Sequence, residues 1–205
     1  MKHFICAIAL LLQVEIVMAA AADATVSNIF LVTLDGLRWQ EVFRGLDESL
    51  ATNGDYTERS ETIIARYGAS NTEDSAAALM PFLHNRVFRD GTVVGNRDRN
   101  SCARVSNSWY FSYPGYNEIL TGVVDESIDS NAKIPNPNKT FLELLNDTGS
   151  YRDQVAAFGS WDVFPYIFNV ERSGLHLNAA QNADPAENEF EVFLNRLQDD
   201  IPSPW

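Results

Sequence analysis

Asn28-Ile29-Phe30-Leu31-Val32-Thr33 (NIFLVT) is a continuous apolar run rich in β-branched residues, closed by Leu34-Asp35-Gly36. Such a run fits a strand buried on both faces, as in a parallel sheet, and an Asp-Gly pair directly after it fits the strand's carboxyl end. The segments downstream alternate in the same sense. Residues 45–71 are polar and broken and read as surface wrapping, and residues 75–89 have helical spacing with Pro81 marking a first turn or a kink. Thr92-Val93-Val94 reads as a short strand after the Asp90-Gly91 stop. Tyr116–Gly122 reads as a short helix ended by glycine, and Ile134-Pro135-Asn136-Pro137-Asn138 as a rigid loop. Thr140 with Glu143 forms a capping box for a helix over Phe141–Asn146, and Gln154–Phe158 is the next strand. Residues 184–200 form an acidic amphipathic helix with Phe190, Phe193, Leu194 and Leu197 on one face. Repeated strand–helix–strand order predicts an α/β fold, a mostly parallel sheet flanked by helices, and the run ending at Trp205 predicts that it is incomplete.

Composition bounds what such a domain does. The chain has 205 residues, 45% of them hydrophobic, enough for one sizeable core and far from a disordered or disulfide-stapled chain. Fifteen Lys+Arg against 28 Asp+Glu give a formal net charge of −13. No basic stripe is available to neutralise duplex phosphates, so nucleic acid is not an expected partner. The start is organised as an export signal: a short basic Met1-Lys2-His3, an apolar Phe4–Met18, and small residues Ala19–Ala22 for cleavage. Residues 1–22 therefore read as a signal peptide and 23–205 as the exported portion, periplasmic or secreted. Gln13 and Glu15 argue against a permanent anchor, and nothing later is long and apolar enough to span a bilayer. Removal of the signal would leave Cys102 as the one cysteine, with no partner for a disulfide.

Two places carry chemistry. Asp35, just past the first run, is positioned as ligands are in open α/β sheets, and a carboxylate there suits a divalent cation; the plainer alternative is that Asp-Gly merely starts a turn. Ser112, within Phe111-Ser112-Tyr113-Pro114-Gly115-Tyr116-Asn117, lies just before a helix, where backbone N–H groups and the dipole favour an anion. A serine there can attack a phosphoryl group; the alternative is an ordinary capping serine.

Together, VTLDGLRWQEVF (residues 32–43) and SYPGYNEILTG (residues 112–122) resemble the alkaline phosphatase superfamily, in its nucleotide pyrophosphatase/phosphodiesterase and sulfatase-like branch. The resemblance spans residues 28–174, with Ala156–Asp162 matching the next strand, so residues 23–205 correspond to the N-terminal portion of such a hydrolase domain. It implies an alkaline phosphatase-like fold and hydrolysis of small phosphate mono- or diesters. It also implies two divalent metal ions, zinc foremost, with Asp35 a metal ligand, Ser112 both nucleophile and metal ligand, and Asn131 a donor to a phosphoryl oxygen.

Departures from the family's pattern are informative. Gly115 and Tyr116 follow Pro114, and no Arg or Lys occurs from there until Lys133, so conversion of Ser112 to formylglycine, as in sulfatases, is disfavoured. The Asp-x-x-x-His and Asp-His segments that complete the family's metal pair are missing. His84 and His176 stand beside no aspartate and read as core or surface histidines rather than ligands. This half-site leaves two alternatives open: a non-catalytic remnant acting as a binding module, or a sulfatase-like or phosphotransferase member of the superfamily. Trp39, Trp109 and Trp161 read mainly as core, with stacking on a nucleobase the lesser option. Asp125-Glu126 with Asp129 reads as a solvated loop, and Asn138-Lys139-Thr140 and Asn146-Asp147-Thr148 match the glycosylation sequon.

Overall fold

The computed structural model describes residues 28–201. The chain divides into two units, Met1–Leu34 and Asp35–Trp205. Of the first, residues 28–34 are described, and the expected strand is not formed there. The backbone is irregular, with Ile29 89% and Phe30 87% exposed. A doubly buried strand exists only when ladder partners and covering helices are supplied, and apolar content alone supplies neither. The expected signal peptide lies outside the described residues.

The second unit is mixed α/β. It opens with short helices α1 (Trp39–Arg44), α2 (Glu48–Ala51), α3 (Ser60–Tyr67) and α4 (Thr72–Leu79). The stretch read as surface wrapping is therefore partly helical, because Asp47 and Asn71 side chains accept from Ser49 N and Asp74 N and start α2 and α4. Gly45 ends α1 with φ 79°, and an added Cβ would stand 2.4 Å from Ala76 N, so α1 and α4 meet at a glycine. Pro81 does break the next segment. A π-turn at Leu83–Val87 runs into α5 (Phe88–Asp90), and the strand expected at Thr92–Val94 is not formed.

The middle of the unit keeps closely to the sequence pattern. Helix α6 (Ser112–Thr121) ends at Gly122, whose φ of 76° is the left-handed stop that glycine allows. Helix α7 (Phe141–Asp147) begins with Thr140 Oγ1 accepting from Glu143 N at 3.2 Å. The returning half of that capping box is absent because the Glu143 carboxylate is taken by Arg172. Then come β1 (Ala156–Gly159), α8 (Phe164–Ile167), α9 (Val170–Ser173) and β2 (His176–Ala179). The two strands pair in parallel, Ala156 opposite His176 and Gly159 opposite Ala179. This is a strand–helix–strand crossover, and among the described residues the sheet has these two strands. The core gathers Tyr113 and Leu120 of α6, Ile128, Ala157 of β1, and Val163, Ile167, Phe168 and Leu175 around the crossover. Helix α10 (Glu189–Asp200) forms as expected but buries none of its residues. No helix among the described residues is long and apolar enough to cross a membrane.

Candidate active site

Helix α6 delivers Ser112, and the surroundings of its first turn decide what that serine can do. Phe111, not Ser112, is the N-cap residue, and no side chain caps the helix. Ser112 therefore occupies the first helical position, half-buried, and its hydroxyl makes no hydrogen bond among the described residues. The ordinary capping role is not the one it plays. The next backbone N–H, that of Tyr113, donates to Asn131 Oδ1 at 3.0 Å. An N–H can only donate, so it fixes the carboxamide's oxygen toward the helix and turns the Nδ2 donor away from it. Nδ2 has no protein partner among the described residues. Two residues chosen from sequence, 19 positions apart, thus meet at one helix start, one offering a hydroxyl and the other an N–H donor.

The Asn131 loop is held by a buried polar network. Asn136 is fully buried, and its N–H donates to Tyr166 O at 2.9 Å. Its Nδ2 donates to Asn117 Oδ1 on α6 and to Ile167 O, both at 3.1 Å. Arg172 Nη1 and Asn169 Nδ2 close on the Asn136 carbonyl at 2.7 and 2.9 Å. The Tyr113 hydroxyl donates to Ile134 O at 2.8 Å. Pro135 and Pro137 restrict the backbone of the same loop, which these bonds tie to α6.

Burial pushes the Tyr113 hydroxyl up to about 12, from an ordinary 10.0. Its stabilising effect is complete below pH 10 and is lost as pH rises toward 12. Alkaline unfolding monitored by circular dichroism should show a steeper loss of stability in that window for the native chain than for Tyr113→Phe. Parallel curves would exclude Tyr113 as its source.

On the far side of α6, Glu118 accepts from Ser106 N, Asn107 N and Asn107 Nδ2, the last two at 2.9 Å. Burial alone would raise this carboxyl, but the three N–H donors outweigh it and hold it below the usual carboxylate range. The segment leading into Ser112 is thereby clamped to the helix it feeds.

Asp35 is placed differently. It lies exposed in a turn with Gly36, whose φ is 76°, so locally the turn alternative is realised. No hydrogen bond or ion pair links it to Ser112 or Asn131. The Asp125-Glu126 and Asp129 stretch is a loop with Glu126 and Asp129 exposed, and within it Asp125 accepts from Ser127 and Asn138, bonds that hold its carboxyl below its ordinary value. His84 packs as read, Nε2 donating to Val42 O at 2.8 Å with its ring edge-on to Phe88. Trp39 is covered by Arg44 and Arg97 at 4.6 and 5.3 Å, which leaves less of its face for a base. Both sequon asparagines use their Nδ2 internally, Asn138 to Asn117 and Asp125, Asn146 to Ser173 O, so a glycan on either would break those bonds. Sequence reasoning missed Asn117, Asn136 and Arg172, which look like surface residues until the two proline-flanked asparagines are asked where their amides go.

Comparison with protein-family models, curated proteins and solved structures finds no match for this chain.

Proposed function

We propose that this chain carries the nucleophile side of an exported phosphoric-ester hydrolase of the alkaline phosphatase type. The observation that supports it is the pairing at the start of α6: an uncommitted Ser112 hydroxyl, with the adjacent Tyr113 N–H bonded to an Asn131 carboxamide whose Nδ2 donors have no protein partner among the described residues. That is the equipment for attack on phosphorus with stabilisation of a developing oxyanion. Ser112 Oγ forms a bond to phosphorus as the P–O ester bond breaks and the hydroxyl proton passes to the departing oxygen, which leaves as the alcohol; water then cleaves the phosphoserine, returning a proton to Oγ and releasing phosphate or a monoester. Asn131 Nδ2 donates to a non-bridging oxygen, and the N-terminal dipole of α6 favours the same charge.

The two-cation centre implied by the resemblance does not fit the donors gathered here. Asp35 and Ser112 would supply two oxygens, whereas zinc takes three or four protein ligands. No group of three or more His, Cys, Asp or Glu stands together among the described residues. What this chain itself supplies is the nucleophile and its oxyanion donor. Substitution Ser112→Ala in the native gene product should abolish turnover of a nitrophenyl phosphate ester; undiminished turnover would refute the assignment.

The donor shortfall favours a second reading, a non-catalytic module that binds a partner through its open sheet, where Phe158 is 76% exposed. Turnover separates the two: phosphate-ester hydrolysis that is lost in Ser112→Ala excludes the remnant, and undiminished turnover in that variant excludes the hydrolase.

A further inference from the structure

An open surface pocket of about 360 Å³ lies outside the Ser112–Asn131 pair, lined by Arg97, Asn100, Ser101, Cys102 and Arg104, all exposed except the half-buried Ser101. Its volume falls within the ~300–1,000 Å³ of small-molecule sites. The local charge runs against that of the whole chain. The lining holds two arginines, Arg97 and Arg104, and no carboxylate, with Asp98 the acid next to them in sequence, in a molecule whose formal charge is −13. Asp98 is already engaged by Arg44, which takes both of its oxygens. Neither the Arg97 nor the Arg104 guanidinium forms an ion pair or a hydrogen bond among the described residues. Arg97 is nonetheless held in place, its guanidinium lying 5.3 Å over the Trp39 ring.

The polar lining matches the arginines. Arg97–Arg99 forms one 3-10 turn, closed by Asn96 Oδ1 accepting from Asp98 N at 3.0 Å. Ser101 Oγ accepts from Gly95 N at 3.0 Å, so its own hydrogen is available to donate. The Asn100 carboxamide has no protein partner among the described residues. Every group lining the pocket other than the Cys102 thiol can therefore give a hydrogen bond to an oxyanion, and two of them carry positive charge. Arginine's fork matches a tetrahedral anion bidentately.

We infer that this pocket is an anion-binding site that takes a phosphate group, free or carried on a small organic molecule, with Arg97 and Arg104 as its charged ligands. The site stands apart from the hydrolase proposal, since phosphate would bind here even if Ser112→Ala were fully active.

Cys102, exposed and on the pocket wall, is a built-in reporter. Its alkylation by neutral iodoacetamide, read by mass spectrometry of the peptide that carries it, should slow several-fold when inorganic phosphate is added, compared with sodium chloride at matched ionic strength. Substitution Arg104→Gln removes a side chain with no ion pair or hydrogen bond, so the fold is retained, and protection should need about tenfold more phosphate. Arg196→Gln, which removes the same charge from α10, should leave protection unchanged. Stronger protection by glucose 6-phosphate than by inorganic phosphate would identify a phosphorylated small molecule as the ligand, and the reverse order would identify free phosphate. Equal protection by chloride, unchanged protection in Arg104→Gln, or an equal loss in Arg196→Gln would each overturn the proposal.

Discussion

Arg172→Ala should destabilise the chain by about 3–5 kcal/mol, a large share of the ~5–15 kcal/mol that holds a typical domain. The Glu143 side chain is 1% exposed and receives two hydrogen bonds from Arg172, Nε to Oε1 at 2.9 Å and Nη2 to Oε2 at 2.8 Å. Lys139, at 3.6 Å, is the one other cation paired with it among the described residues. Truncating the arginine leaves a carboxylate in a site from which water is excluded, and it strips donors from three successive carbonyls, Asn136, Pro137 and Asn138. Glu143→Gln is the contrasting change. It keeps the shape and one acceptor, and the Arg172 side chain, 32% exposed, can turn its unpaired charge toward solvent. Its cost should be the smaller, about 1–2 kcal/mol. Urea unfolding of both variants measures the difference. Equal costs, or less than about 1 kcal/mol for Arg172→Ala, would mean that the pair is decorative.

That pair also shows where reading from sequence succeeds and where it stops. Local rules locate α6, because Gly122 stops it; α7, because Thr140 caps it; and the acidic α10, because its apolar residues recur at helical spacing. Of the parallel crossover, β1 is legible in the Gln154–Phe158 run. Its partner β2 is not, because His176 and Asn178 interrupt the apolar residues and leave no run to read. All of the successful signals act over a few residues. Arg172 reaches Glu143 across 29 positions, and Asn136 reaches Ile167 across 31, so no window along the chain contains both partners. The same limit, inverted, explains residues 28–33. Their apolar content is a demand for burial, and whether a neighbour meets it is not written in the run itself. Asp35 takes its expected place from that strand and loses it with the strand. Asn131 does not depend on any strand, and it is the site residue that the structure brings to Ser112.

Asn131 therefore offers the sharpest test of the hydrolase proposal, through a pair of substitutions that separate holding from chemistry. Ser112→Ala should lower turnover by on the order of 10⁴–10⁶-fold, because no other group replaces a lost nucleophile. That loss alone identifies Ser112, not its neighbour. Asn131→Asp keeps the oxygen that accepts from Tyr113 N–H, and a carboxylate at a helix start is at least as well received as a carboxamide, so stability should be unchanged. The substitution nevertheless replaces the unpartnered Nδ2 donor with a second negative oxygen, which would repel the phosphoryl group where Asn131 would attract it. Turnover should fall by about 10²–10³-fold, the usual cost of one lost oxyanion donor, with the unfolding midpoint held. Asn131→Ala makes the complementary change: it loses the bond to α6 as well, so both activity and stability should drop. Full activity in Asn131→Asp would show that the carboxamide only anchors the loop, and the oxyanion donor would have to be sought elsewhere at the start of α6.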